Sequence, residues 1–467
     1  MRYGKTETFQ KTKFSGKTEI CMTEGAIGKQ LLFYTLPILL SQIFQQFYSV
    51  ADAAVIGQYA GADALAAVGT TSLLLSVIVN FFIGLSTGIS VVISRLFGAE
   101  EYEKLKDAII AAILACLAAG FLMTITGITG VDSFLKWLGT PKEVYTLAKS
   151  YLAICFFGMI PQLIYNMGTA ILRSLGNTKS PLIYLIVSSI VNLILDVSFI
   201  AFFHMGIKGA AWATLLSQYL SAILILIKLF SLDEQYRMSL SIPAGKNHKE
   251  IYKELLTIGF PAGMQAIFMS ISSLVIQTSI NSFGASAMAG MTVYAKIEGF
   301  LYYPLFSFGM AVTGFVGQNY GAQKKDRIQK GMKLALLIAV LFSVTMAIIL
   351  IICSEPVLRF FTNDQAVIQN GQQAIYSVLP FYFLYGINQV YIGGIRGLND
   401  TAYPMITSLI SYCIFRVVFC RLILPIWHDM RVIYWAYDLS WIIMIALLIW
   451  RYITIYTQTP NLETAPK

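Results

Sequence analysis

Asp196 sits inside the apolar run Pro181–Phe203, PLIYLIVSSIVNLILDVSFIAFF, which is long enough to cross a bilayer as a helix. A carboxylate near mid-membrane costs roughly 3 kcal/mol on insertion scales. Asn192 lies one turn earlier on the same helical face. A second acid, Asp52, interrupts the first long apolar segment, LLFYTLPILLSQIFQQFYSVADAAVIG. Buried acids with amide and hydroxyl neighbours inside a span point to a proton or cation site. The plainer alternative is a structural pair with a neighbouring helix.

The elements that must position these acids follow from composition. The chain has 467 residues, 57% of them hydrophobic and only 12% charged. Its mean hydropathy of +0.69 excludes an ordinary soluble domain, whose charged fraction is about twice as large. The apolar runs are continuous and do not alternate in ~10-residue pieces, which excludes a β-barrel. Six cysteines show no metal-ligand spacing, and all but Cys21 fall in apolar segments, as small buried hydrophobes do. Residues 1–28 are polar and basic with no cleavable leader pattern, and Met22 is an alternative start to Met1.

Counting about 20 apolar residues per span, six spans are expected at 31–57, 66–96, 107–129, 146–171, 181–203 and 207–230. Six more are expected at 256–282, 289–319, 331–353, 367–395, 404–425 and 432–456. The domain reading is a tail (1–28), a six-helix lobe (29–230), a polar linker (231–255), a second lobe (256–456) and a tail (457–467). The net charge of +9 is then a matter of topology, not of nucleic-acid binding. Basic residues gather in one set of loops (Lys104, Lys106, Arg173, Lys179, Lys246, Lys324, Lys325, Arg327) and are sparser in the other (Lys136, Lys142, Lys208, Arg359, Arg431). That asymmetry places both termini in the cytoplasm.

The chain also repeats. GADALAAVG at Gly61–Gly69 aligns with GASAMAGMT at Gly284–Thr292, and Gly98-Ala99 aligns with Gly321-Ala322. RSLGNTKSP, ending at Pro181, aligns with RGLNDTAYP, ending at Pro404, and all three matches share one shift of 223 residues. An even number of spans per unit makes both halves enter from the same side. The expected fold is therefore an all-α membrane protein of about twelve transmembrane helices. Its two six-helix bundles should be related by a pseudo-two-fold axis along the membrane normal, with a cavity between them.

The detail resembles the multidrug and toxic compound extrusion (MATE) family of bacterial type, over nearly all of the chain from Thr23. The resemblance rests on LPILLSQIFQQFYSVADAAVIGQYAGADALAAVG, the FGA and YGA turns, ILRSLGNTKSP, IRGLNDTAYP and NLILDVSFIAFFHMGIKGAAWAT. It implies a multi-pass transporter of the bacterial plasma (inner) membrane, acting as a monomer, with no cofactor. Such a transporter expels amphipathic, often cationic, small molecules in exchange for H+ or Na+. Carried over residue by residue, the coupling site comprises Asp52, Asn192 and Asp196, with Thr214 from the sixth span and Asn166 as an addition of uncertain register. A sodium ion, if that is the coupling ion, would sit among Asp52, Asn192, Asp196 and Thr214.

The residues support the same grouping. Asp52 lies ~10 Å outward of the centre of its span and Asp196 ~6 Å, so the acids share a depth. Two acids close together in low dielectric do not both ionise easily, which permits proton exchange. Gln42, Gln45, Ser49 and Asp52 form a polar stripe that suits the inter-lobe cavity or, alternatively, a polar neighbouring helix. In the second half Val275 aligns with Asp52, so the acid pair is not duplicated. Glu298 and Tyr302 are candidates for contact with substrate there, with an ion pair between Glu298 and Arg416 as the structural alternative.

A cation crossing 100 mV supplies ~2.3 kcal/mol, and no GxxxxGK[ST] phosphate loop occurs. A flippase for lipid-linked saccharides is the alternative within transport, disfavoured by the helix count and the few candidate cavity cations. An enzyme is disfavoured because His204, His248 and His428 fall at helix ends or in loops, with no HExxH or Ser–His arrangement in a span.

Overall fold

The computed structural model describes residues 20–238 and 248–458. Residues 1–19 and 459–467 of the expected tails and the middle of the linker, with Lys246, lie outside them. The apolar runs fold into α1 (Ile27–Val55), α2 (Ala62–Gly98), α3 (Tyr102–Trp137), α4 (Lys142–Phe157), α5 (Met159–Ser174), α6 (Lys179–Asp196) and α7 (Gly206–Phe230). The second half supplies α8 (His248–Asn281), α9 (Ala285–Gly321), α10 (Lys325–Ile352), α11 (Ser354–Phe361), α12 (Gln365–Val378) and α13 (Tyr382–Gly397). It ends with α14 (Ala402–Ser408), α15 (Arg416–Ile423) and α16 (Met430–Gln458).

Among the described residues ten helices are long and apolar enough to cross a membrane, and an eleventh span results if α4 and α5, bent by 47°, count as one. Their repeat counterparts, α12 and α13, complete the second set of six. There the run is interrupted by a 3-10 turn at Leu379–Phe381 and diluted by Gln369, Asn370, Gln372 and Gln373, which explains its weaker apolar signal.

The duplication is visible in the backbone. α9 is α2 displaced by the 223-residue shift, end for end. The motif turns owe their persistence to left-handed backbone. Gly61 and Gly284 open α2 and α9 at φ of 93° and 88°, conformations that cost glycine nothing. Glu100 and Gln323 both sit at 58°, and Gly176 and Asn399 at 87° and 73°.

Large apolar side chains point outward, as where lipid replaces water; Phe121, Leu122 and Phe360 are all exposed. With no hydrophobic force to join the helices, close packing must do so, through small residues. The lobes meet at the end where α2 and α9 finish. Gly84 packs on Ala262 and Gly263, Gly88 on Ile258 and Gly259, and Gly98 on the backbone of Gln318. A Cβ at any of these would overlap backbone atoms of the opposite lobe. Arg95 adds an ion pair across the seam to Glu254 at 2.7 Å.

The segment before α1 straps this seal. Ile20 donates its N–H to the Gly176 carbonyl of the first lobe at 3.1 Å. Two residues on, Met22 is fully buried in the core of the second lobe. Its N–H reaches Gln318 Oε1 at 2.9 Å, and its carbonyl accepts from Asn319 and Arg327. Gln318 returns a bond to the Ser174 carbonyl of the first lobe at 2.8 Å, so one amide ties both lobes and the strap together.

Candidate functional site

Asp52 and Asp196 come from helices that end in the same unusual way. α1 passes at Val55 into a π-helical turn, Ile56–Ala60, and α6 passes at Asp196 itself into another, Val197–Phe202. A π turn widens the helix by one residue and leaves backbone groups less tightly paired, a feature that recurs at functional sites. The carboxyl groups of Asp52 and Asp196 lie within hydrogen-bonding reach of each other.

Asp196 is fully buried and Asn192 is 1% exposed. In the amide orientation that satisfies both ends, Asn192 donates to Asp196 Oδ2 at 2.7 Å and accepts from the Thr214 N–H at 3.2 Å. Asn192 thereby fixes one oxygen of the acid and docks α6 on α7. Oδ1 of Asp52 and Oδ1 of Asp196 are both buried without a hydrogen-bond partner. Two carboxylates in contact cannot both carry charge unless a proton or a cation lies between them. The donor set is all oxygen, which suits a proton or a hard monovalent ion.

The structure therefore joins Asp52, Asn192, Asp196 and Thr214. Asn166, on α5, is half-buried, and its Nδ2 makes no hydrogen bond. Three residues escaped the sequence reading. Tyr48 lies beside both acids and Thr214. Tyr151 and Cys155, one turn apart on α4, lie next to Asp52. Tyr48 precedes Asp52 by one turn, so helical spacing pointed to it; nothing in the sequence pointed to the α4 pair. Gln45 and Ser49 stand on an exposed face of α1 and Gln42 is half-buried. None of the three is among the residues that line the cavity between α2 and the second lobe.

That cavity, of about 410 Å³, lies on the seal, with Gly84 and Thr87 of α2 forming one wall. The other walls belong to the second lobe and carry Glu298, Tyr302, Tyr382, Tyr385, Arg416 and Trp441. Tyr382 donates to Glu298 Oε1 at 3.0 Å. The alternative ion pair with Arg416 does not form: that guanidinium bonds Ser440 Oγ at 2.7 Å and lies against the rings of Tyr437 and Tyr412, at 4.2 and 4.8 Å. Tyr302 stacks on Tyr385 with centroids 5.6 Å apart, and Trp441 meets Tyr382 edge-on at 5.3 Å.

Duplicated helical halves, a seam of small residues and an acid pair buried in the span define a multi-pass membrane transporter. The chain belongs to the MatE family, whose profile matches residues 37–198 and 261–422, once in each half. It is 25% identical over 399 residues to the probable multidrug resistance protein YoeA of Bacillus subtilis, covering 83% of this chain and 85% of that protein. It is 29% identical over 392 residues to the probable multidrug resistance protein NorM of Thermotoga maritima, covering 82% and 83% of the two chains. A solved structure described as the outward-facing conformation of a multidrug resistance MATE family transporter superposes with a TM-score of 0.85. It shares 22% identity, over 97% of this chain and 100% of that one. The protein is a membrane transporter of that family and not an enzyme.

Proposed function

We propose that this protein is an antiporter that exports amphipathic small molecules and is driven by H+ or Na+ exchange at Asp52 and Asp196. The observation that carries the reading is the contact between the two carboxyl groups, braced by Asn192 and Thr214. A shared proton or cation there is released only when the acids gain access to water on the other side, which links ion exchange to the movement of the lobes. Basic residues gather at the sealed end, among them Arg95, Lys104, Arg173 and Lys324. That end is cytoplasmic on the positive-inside rule. The chain is then closed towards the cytoplasm, and substrate leaves from the cavity above the seal.

The test is efflux of a fluorescent organic substrate from proteoliposomes under a pH gradient and, separately, a sodium gradient. Wild type is compared with Asp52→Asn and Asp196→Asn. Transport should follow one of the gradients and be lost in both variants. Unaltered gradient-driven transport in the variants would move coupling elsewhere, with Glu298 the next residue to change.

A further inference from the structure

The charges around the cavity do not suit a simple organic cation. Its lining carries one acid, Glu298, and two arginines, Arg396 and Arg416. Asp438, next in sequence to the lining residue Tyr437, is buried within electrostatic range of Arg416 and brings the balance to neutral. Arg416 is itself only 6% exposed. A guanidinium has five N–H donors, and Ser440 Oγ accepts from two of its nitrogens, which leaves others for a ligand. Repulsion between unit charges is several-fold stronger in such a site than in water. A cavity shaped for cations alone gains nothing from a buried arginine.

We propose that the cavity of the second lobe takes amphoteric aromatic molecules, with an anionic group on Arg416, a protonated amine on Glu298 and the ring between Tyr302, Tyr385 and Trp441. This rests on the reading of the protein as a small-molecule exporter and narrows its substrate class. The volume, about 410 Å³, is that of a drug-sized ligand. The stacked rings offer flat apolar faces, and planar guanidinium donors match a carboxylate in two places.

The repeat explains how such a site arose. Shifted by 223 residues, Arg416 falls on Leu193, beside Asn192, while Tyr437 falls on Thr214 and Val275 on Asp52. Arg416 also follows directly on a π-helical turn, Leu409–Phe415, as Asp52 and Asp196 adjoin theirs. The second lobe thus holds a guanidinium with an aromatic wall at the level where the first holds its acid pair. One lobe exchanges ions and the other reads the charge of the cargo.

Binding to the purified full-length transporter, without any gradient, tests this with three naphthalenes. One carries an ammonium group at one end and a carboxylate at the other; the second is its methyl ester and the third its N-acetyl derivative. The amphoteric compound should bind at least tenfold more tightly than either derivative. Arg416→Gln should abolish its advantage over the ester, Glu298→Gln its advantage over the N-acetyl compound, and Arg416→Lys should keep most of the first. An ester that binds as well as the parent overturns the proposal, and so does failure of all three to bind. The wild-type comparison stands even where a variant fails to fold. Asp196→Asn serves as the separating control: binding ratios should survive in it while gradient-driven transport is lost. Ratios that hold in a wild type showing no gradient-driven transport would sink the antiport reading and leave this one.

Discussion

Gly98→Ala asks whether the lobes part at the sealed end during transport. A methyl at Gly98 would overlap the Gln318 carbonyl, and its repeat counterpart Gly321 meets the Arg95 carbonyl in the same way. Backbone cannot swing aside as the tip of a side chain can. The cost is that of overfilling a packed interior, about 1–3 kcal/mol. It falls on the closed arrangement only, because helices that have separated no longer touch. The ratio of closed to open molecules should therefore drop roughly 5- to 150-fold.

Alanine also raises helix propensity, by about 1 kcal/mol over glycine, but equally in both arrangements. Gly69→Ala controls for this, since Gly69 lies on the same helix with open space around it. The readout is labelling of an Asn80→Cys reporter on the cavity wall by an impermeant maleimide, applied to either face of oriented proteoliposomes. In Gly98→Ala, labelling from the face of the basic loops should rise at the expense of the other. An unchanged ratio in a folded protein, or an equal change in Gly69→Ala, would refute the idea that this seam is the moving gate.

Asn192→Ala removes the donor that holds Asp196 and the acceptor of the Thr214 N–H, and should cost about 1–3 kcal/mol in thermal stability. Ion-dependent transport should fall with it while naphthalene binding is retained; equal loss of both would mean a purely structural role. Tyr48→Phe deletes the phenol hydroxyl beside Asp52, Asp196 and Thr214 and should alter the pH or sodium dependence of transport more than its maximal rate, measured by titrating the driving ion. Gln318→Ala cuts the amide that joins the strap to both lobes and should speed hydrogen exchange at the Met22 amide at least tenfold. Protection unchanged from wild type would show that the strap is held by the burial of Met22 alone.

The architecture was legible because a membrane span is a long apolar run and a duplication leaves a constant shift; Ala62–Gly98 reappears as Ala285–Gly321. The acid pair was legible because a carboxylate in such a run is conspicuous. What spacing cannot tell is which helix stands opposite. Gln42, Gln45 and Ser49 share a face in the sequence, but periodicity does not name what that face meets, nor that Gly84 and Thr87 of α2 wall the cavity beside Glu298. Glu298 and Arg416 invite pairing by charge, but a tyrosine and a serine with better geometry took their hydrogen bonds. The π turns had no signature at all, since they arise from packing and not from any residue type that marks them.

After the duplication the glycines of the turns and the seam stayed alike in both halves, while the buried site residues diverged. Gly61 and Gly284 must both be left-handed to start a helix after a tight turn, and most side chains are strained there. Gly98 and Gly321 must both lack a Cβ for the helices to cross. Such constraints act alike on both halves and keep the motifs in register. No backbone demand acts on Asp52 and Val275, or on Thr214 and Tyr437. If both lobes had kept the acid pair, ion and cargo would have met identical chemistry on either side of the cavity, and a cation could take either place. On the proposed reading, unlike sites at like depth give each ligand a lobe of its own, and the common seal at Gly84–Gly98 makes both answer to the same movement.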